Sequence, residues 1–154
     1  MRYGKYVDSI IGRLYIVEED GCLVELGTGM AQAEDCLLET GTPLLEKTAT
    51  QLQEYFAGDR REFDIPICGK GTDFQQKVWK ALREIPFGET RTYGQIAAAI
   101  GQPKASRAVG GACNKNSIMI VVPCHRVIGA NGKLVGFGGG LALKEYLLRL
   151  ERIR

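Results

Sequence analysis

Thr92-Tyr93-Gly94-Gln95-Ile96-Ala97-Ala98-Ala99-Ile100-Gly101-Gln102-Pro103-Lys104-Ala105-Ser106-Arg107-Ala108-Val109-Gly110-Gly111-Ala112-Cys113 reads as two short helices about a tight turn. Thr92 with Gln95 three residues later is a capping-box pattern that starts the first helix, Tyr93 to Ile100, and Gly101-Gln102-Pro103 ends it. A second helix from Lys104 to about Cys113 completes a helix-turn-helix, whose second member is the one presented to DNA. Two glycines and three alanines trim that second helix, although each glycine costs roughly 1 kcal/mol relative to alanine. So small a profile suits a narrow surface such as the minor groove, with Arg107 the long side chain able to enter the base stack. The alternative is that the small residues let two protein helices pack closely and Arg107 is solvated.

Downstream, the apolar run Ile118-Met119-Ile120-Val121-Val122 reads as a strand, Asn131-Gly132 as the turn of a hairpin, and the chain from about Leu141 as a last helix. These elements add a wing to the helix-turn-helix. Pro123-Cys124-His125-Arg126 follows the apolar run and sets the only histidine beside one of five cysteines. A free thiol has a pKa of about 8.5, so little of it is thiolate at neutral pH unless a base helps. Adjacent residues do not face each other along a strand or helix, so His125 is expected to take the Cys124 proton through one water.

Upstream, Thr72 and Gln75 form another capping box, and Phe74, Val78, Ala81, Leu82 and Ile85 recur at helical spacing until Pro86-Phe87-Gly88. Trp79 lies near that apolar face and reads as a core residue. Gly69-Lys70-Gly71 is the linker, which gives two domains, 1–69 and 70–154. The first opens with period-two segments at Tyr3 to Val7, Arg13 to Val17 and Cys22 to Leu26, the last two joined by Glu19-Asp20-Gly21. Thr42-Pro43 then starts a helix with Leu45, Ala49, Leu52 and Phe56 on one face, stopped by Gly58. Glu62 to Ile67 is a candidate further strand, and the domain is α+β.

Charge divides at the same linker. Residues 1–69 hold six Lys/Arg against thirteen Asp/Glu, and residues 70–154 hold fourteen against five, so the net charges are −7 and +9. An acidic support joined to a nucleic-acid-facing module would show this asymmetry, as would a dipolar globule with solvated faces. Cys22, Cys36, Cys68, Cys113 and Cys124 are odd in number and irregular in spacing, which argues against a disulfide framework. No Cys-x-x-Cys pair occurs and one histidine is available, so no metal site is expected. No run of about 18 apolar residues and no signal core after Met1 are present, so a soluble cytoplasmic protein without a membrane partner is expected, nucleoid-associated if bacterial.

Taken together, these stretches resemble the O6-alkylguanine-DNA alkyltransferases, also called methylated-DNA-protein-cysteine methyltransferases. Ile120 to Gly129 is similar to the family's active-site signature and Lys104 to Ala112 to its recognition helix with an arginine finger. Phe87 to Tyr93, Asn116, Gly139-Gly140-Leu141-Ala142 and Lys144-Glu145 to Glu151 fall at family spacing. The likeness is strong over residues 72 to 152; before that it rests on the Ser9-Ile10-Ile11-Gly12 turn and the Tyr55-Phe56-Ala57-Gly58 helix end. It implies a ribonuclease H-like first domain and a winged helix-turn-helix second domain. The implied activity is a single-use transfer of an alkyl group from O6-alkylguanine in double-stranded DNA, with O4-alkylthymine a further candidate substrate, to Cys124, by a monomer without cofactor.

The resemblance also assigns roles. His125 is the base, Glu151 the carboxylate that orients it, Tyr93 the donor of a proton to N3 of guanine, and Asn116 the organiser of the active-site turn. Arg107 fills the place of the flipped nucleotide, with Lys104, Ala105, Ser106 and Gly110 as further DNA contacts on the same helix. The carbonyls of Cys124 and Val127 accept from the guanine amino group, and the Gly138 amide donates to O6. Lys115 and Arg126 are backbone or local structural contacts. Three departures bear on substrate size: Ser117 and Met119 stand where the family commonly has smaller or proline residues, and Phe137 replaces a tyrosine. Methyl transfer is expected, and Met119 and Phe137 leave open whether bulky groups such as benzyl fit. Two other functions fit part of the pattern: a damage-binding winged-helix protein without turnover, which would lack the reactive cysteine, and a DNA-binding regulator, which would need a further sensor module that 154 residues leave no room for. A cysteine hydrolase would gain nothing from the basic half.

Overall fold

Asp20 and Gly21 both take positive φ, 53° and 80°, which is the backbone of a two-residue hairpin turn that matches strand twist. They join β2 (Gly12–Glu19) to β3 (Cys22–Thr28), and β2 pairs in turn with β1 (Arg2–Ser9), all antiparallel. The structure, a computed structural model, describes residues 2–29, 36–37, 41–137 and 140–153. A short β4 (Cys36–Leu37), which no period-two pattern announced, adds to β1 in parallel, so the sheet order is β3-β2-β1-β4. α1 (Pro43–Ala57) packs on β1 and β2. Thr42 caps it by accepting from the Leu45 N–H, Pro43 opens it, and Gly58 at φ 85° closes it. Leu45, Ala49 and Leu52 face the sheet as expected, but Tyr55 rather than Phe56 completes the buried stripe.

Two expectations for this part of the chain fail. Cys22 and Cys68 are joined in a disulfide, with Cα atoms 5.5 Å apart. Glu62 to Ile67 makes no strand; it runs beside β3 through a single bridge, Leu23 to Ile67. The Leu23 N–H donates to the Pro66 carbonyl and the Cys68 N–H to the Leu23 carbonyl, both at 2.9 Å. Pro66 has no N–H to extend that ladder. The same alignment brings Cys68 to Cys22, a pairing set by which segments lie side by side and invisible in an odd cysteine count.

Residues Lys70–Arg154 form a second compact unit beside Met1–Gly69 in the chain. α2 (Asp73–Arg83), α3 (Tyr93–Ala99) and α4 (Ser106–Asn114) pack on one another, with capping boxes at Thr72/Gln75 and Thr92/Gln95. Val78, Trp79, Leu82, Ile85, Ile96, Ala97, Val109 and Ala112 supply the core. Trp79 does more than fill it: the indole N–H donates to the Ala112 carbonyl at 2.9 Å, tying α2 to the last turn of α4. β5 (Arg91–Thr92) and β6 (Val127–Ile128) pair in parallel, and α5 (Leu141–Ile153) ends the fold. No helix among the described residues is long and apolar enough to cross a membrane.

The apolar run before Pro123 is not a strand. Ile118 to Val122 is buried at every residue, without the alternation of a half-exposed strand, and winds through turns instead. The Val122 N–H returns to the Ile118 carbonyl at 3.0 Å and the Val121 N–H to the Met119 carbonyl at 2.8 Å. Ile120 sits at φ +70°, a left-handed conformation that a β-branched residue adopts only under strain. The turn about Asn131-Gly132 does form, closed by the Gly129 N–H on the Lys133 carbonyl at 2.8 Å. Residues 133–137 carry no strand, so the wing is a loop on a short parallel pair.

Candidate active site

A single 3-10 turn, Cys124–Arg126, delivers three consecutive buried side chains. The Cys124 sulfur accepts from Asn116 Nδ2 at 3.3 Å. Asn116 also donates to the Val122 carbonyl at 2.9 Å and accepts the Ile118 N–H at 3.0 Å, so one amide pins both ends of the wound segment before the thiol. Burial pushes the Cys124 thiol up; the Asn116 hydrogen bond, Lys144 and the turn's own backbone oppose that only in part. The resting group is therefore a protonated thiol.

His125 is fully buried and its Nε2 lies 2.6 Å from Glu151 Oε2. Arg126 clamps the same carboxylate, Nε to Oε1 at 2.8 Å and Nη2 to Oε2 at 3.1 Å, and donates through Nη1 to the Ile85 carbonyl at 2.7 Å. Burial would raise the Glu151 carboxyl, yet His125 and Arg126 together hold it down at about 2. An ionised carboxylate accepts only, so Nε2 must carry the hydrogen and Nδ1 the lone pair. Nδ1 is buried and has no hydrogen-bond partner among the described residues. Burial keeps the imidazole below its ordinary value, Glu151 opposes this, and Arg126 and Lys144 reinforce it. Thiol and imidazole are thus both neutral at rest.

On the other wall, the Tyr93 hydroxyl donates to the Val135 carbonyl at 3.0 Å. Lys144, fully buried, donates to the same carbonyl at 3.0 Å and to that of Gly136 at 3.3 Å, with its ammonium 5.8 Å from the Tyr93 ring centroid. Burial first, then the thiols of Cys113 and Cys124, push the Tyr93 phenol up to about 12. Cys113 is also pushed up to about 12, chiefly by burial, so its thiol too keeps its proton at neutral pH.

The structure brings together two hydrogen-bonded sets on the same turn, Cys124 with Asn116 and His125 with Glu151 and Arg126, while Tyr93 is tied to the Val135 carbonyl. Met119 is buried and Phe137 half-buried, while Val127 is buried completely. Gly138 and Gly139 lie outside the described residues. Arg126 is not a surface contact: it is 7 % exposed and spent on Glu151 and Ile85. Lys104, Arg107 and Lys115 are exposed, and Ala105, Ser106 and Gly110 half-buried, along and beside α4.

Lys144 has no role in the sequence reading, and Glu151, named through the family resemblance, reads without it as a surface residue near the C-terminus. A signal existed: Lys144, Leu147, Leu148 and Glu151 stand at i, i+3, i+4 and i+7 of α5, and all four are buried. Two charges on a core stripe must be paired to be there.

Residues 73–153 match the model of the 6-O-methylguanine DNA methyltransferase DNA-binding domain, and residues 1–68 that of the ribonuclease-like domain of the same proteins. The methylated-DNA–protein-cysteine methyltransferase of Methanosarcina acetivorans is 62% identical over 105 residues, 68% of this chain and 67% of that one. The constitutive methylated-DNA–protein-cysteine methyltransferase of Bacillus subtilis is 47% identical over 161 residues, covering 99% of this chain and 97% of the relative. Among solved structures, Mycobacterium tuberculosis OGT in complex with DNA superposes with a TM-score of 0.91 at 47% identity, over 98% of this chain and 93% of that one.

Proposed function

The chain belongs to the 6-O-methylguanine DNA methyltransferase family, and from that premise we propose how its own residues move an alkyl group from O6 of guanine in DNA onto Cys124. The protein repairs DNA by direct, stoichiometric transfer, a methylated-DNA–protein-cysteine methyltransferase that acts once. The observation that carries the assignment is the buried Cys124 thiol held by Asn116, next to an imidazole whose proton-bearing nitrogen is fixed on Glu151 and whose other nitrogen is free.

The neutral resting pair dictates the order of events. The thiol proton leaves Cys124 for His125 Nδ1 through one water as the sulfur attacks, and the imidazolium that forms meets the ionised Glu151. A C–S bond forms at the alkyl carbon, the C–O6 bond breaks, and its electron pair passes into the guanine ring. A proton at N3 makes that ring a neutral leaving group. Tyr93 supplies it, turning from the Val135 carbonyl to the base; its raised pKa suits a hydrogen-bond donor that keeps its proton until charge develops. The thioether left on Cys124 has no hydrolytic exit.

DNA is the partner, and α4 is the element we assign to its minor groove. A Cβ on Gly111 would meet nothing within 4 Å, and one on Gly110 would meet Tyr93 at an ordinary 3.8 Å. Neither glycine is needed for packing inside the protein, so close helix packing does not account for these two residues. Their roughly 1 kcal/mol each makes sense if another surface approaches α4. Arg107, exposed on that helix, would then occupy the space of a guanine turned out towards Cys124, offsetting part of the few kcal/mol that flipping costs. In this reading residues 70–154 hold the chemistry and the DNA contacts, and residues 1–69 are the support.

Intact-protein mass after mixing with a duplex holding one O6-methylguanine tests the assignment. One methyl on the Cys124 peptide, absent in Cys124→Ala, is expected. DNA binding with no mass gain would leave a damage-binding protein instead.

A further inference from the structure

The Glu151 carboxylate is shared unequally. It touches His125 through one oxygen only, at 2.6 Å, whereas Arg126 takes both oxygens and is itself anchored on the Ile85 carbonyl. Such a fork fixes the plane of a carboxylate, which a single contact cannot do. We propose that Arg126 is a positioning residue of the alkyl transfer: it holds Glu151 edge-on to His125 and, by sharing its charge, keeps the carboxylate from drawing a proton onto the imidazole before the thiol supplies one. This rests on the reading of Cys124 as the acceptor and His125 as its base.

The argument follows from what the pair would do alone. A buried imidazole 2.6 Å from an uncommitted carboxylate gains an opposite charge in a medium that screens poorly, and such a neighbour favours the protonated ring. A protonated His125 has no lone pair on Nδ1, and the thiol would keep its proton. The groups acting on the imidazole are Glu151 and Lys144 from α5 and Arg126 from its own turn; the neighbouring Cys124 is a neutral thiol. The segment after α2 meets this turn through the Ile85 carbonyl and the Phe87 ring, 5.8 Å from the guanidinium carbon, neither of them ionisable. Of the two cations, Arg126 holds both oxygens of Glu151 while Lys144 donates to the Val135 and Gly136 carbonyls, so Arg126 is the one placed to set the balance.

The chain has one histidine, so its ring resonances report this site without interference. The experiment is an NMR titration of His125 in wild type, Arg126→Gln and Arg126→Lys, with single-turnover methyl transfer measured across the same pH range. Wild-type His125 should titrate below the ordinary imidazole value despite its carboxylate. Arg126→Gln should raise the midpoint by about one pH unit, the size expected for loss of one near charge. Its transfer rate should then fall by up to tenfold at pH values below the wild-type midpoint and far less above pH 8, and Arg126→Lys should bring the midpoint back towards wild type. An unchanged midpoint in folded Arg126→Gln overturns the proposal, as does a rate loss equal at every pH. Should Arg126→Gln not fold, the wild-type midpoint decides: titration above the ordinary value overturns the proposal. The titration needs no DNA, so failure of methyl transfer to Cys124 would sink the acceptor assignment and leave this result readable.

Discussion

Replacing Glu151 by glutamine removes the only negative charge from a set that holds His125 and Arg126, and the cost can be worked two ways. The carboxyl is held at about 2 against an ordinary 4.5, and at 1.36 kcal/mol per pH unit that depression corresponds to about 3 kcal/mol of native-state stability. Removing one partner of a buried ion pair costs roughly 3–5 kcal/mol in other proteins, because the remaining charge stays buried and uncompensated. The two agree, so Glu151→Gln should lose about 3 kcal/mol at pH 7. The sign then predicts the pH dependence. A carboxylate whose folded pKa is depressed stabilises fully above the unfolded value of 4.5, and loses that contribution as pH falls towards 2. By pH 3 about 2 kcal/mol of the wild-type advantage should be gone. The sole tryptophan, Trp79, lies in the same unit and reports its unfolding in denaturant. A deficit that is equal at pH 7 and pH 3, or smaller than about 1 kcal/mol at pH 7, would refute the reasoning.

Two further outcomes test other parts of the molecule. The Cys22–Cys68 bond closes a separation of 46 residues, worth about 4 kcal/mol in the chain-entropy account; Cys68→Ser should lose most of this under oxidising conditions, with circular dichroism as the readout. Reductant should lower the wild type to the level of Cys68→Ser and leave Cys68→Ser unmoved. Gly111→Ala places a methyl in open space, so it should stabilise α4 by up to about 1 kcal/mol while weakening duplex binding at least tenfold; undiminished affinity in a filter or anisotropy assay would take that face of α4 away from DNA.

Local signals carried much of this fold. Capping boxes at Thr72 and Thr92, the Thr42-Pro43 start and the Asp20-Gly21 turn each act within four residues, and each stands where the sequence puts it. Period-two patterning located β1 to β3 for the same reason. What escaped depended on contacts far apart in the chain. β4 exists because β1 offers an edge, the disulfide because residues 62–68 lie beside β3, and the buried ion pair of Arg126 with Glu151 because α5 packs on the turn at Cys124. The run at Ile118 to Val122 misled for a different reason. Continuous burial looks the same in sequence whether the chain is extended or wound, and Asn116, two residues earlier, decides between them through its side chain.

That wound segment constrains the gene as well as the chemistry. A strand can absorb an added residue as a bulge, but here the Asn116 amide must reach the Ile118 N–H, the Val122 carbonyl and the Cys124 sulfur at once. The stretch from Asn116 to Cys124 should therefore vary in composition yet not in length: one codon inserted or lost there would move the sulfur off its base, whereas the loop around Ala130 to Lys133 can grow or shrink.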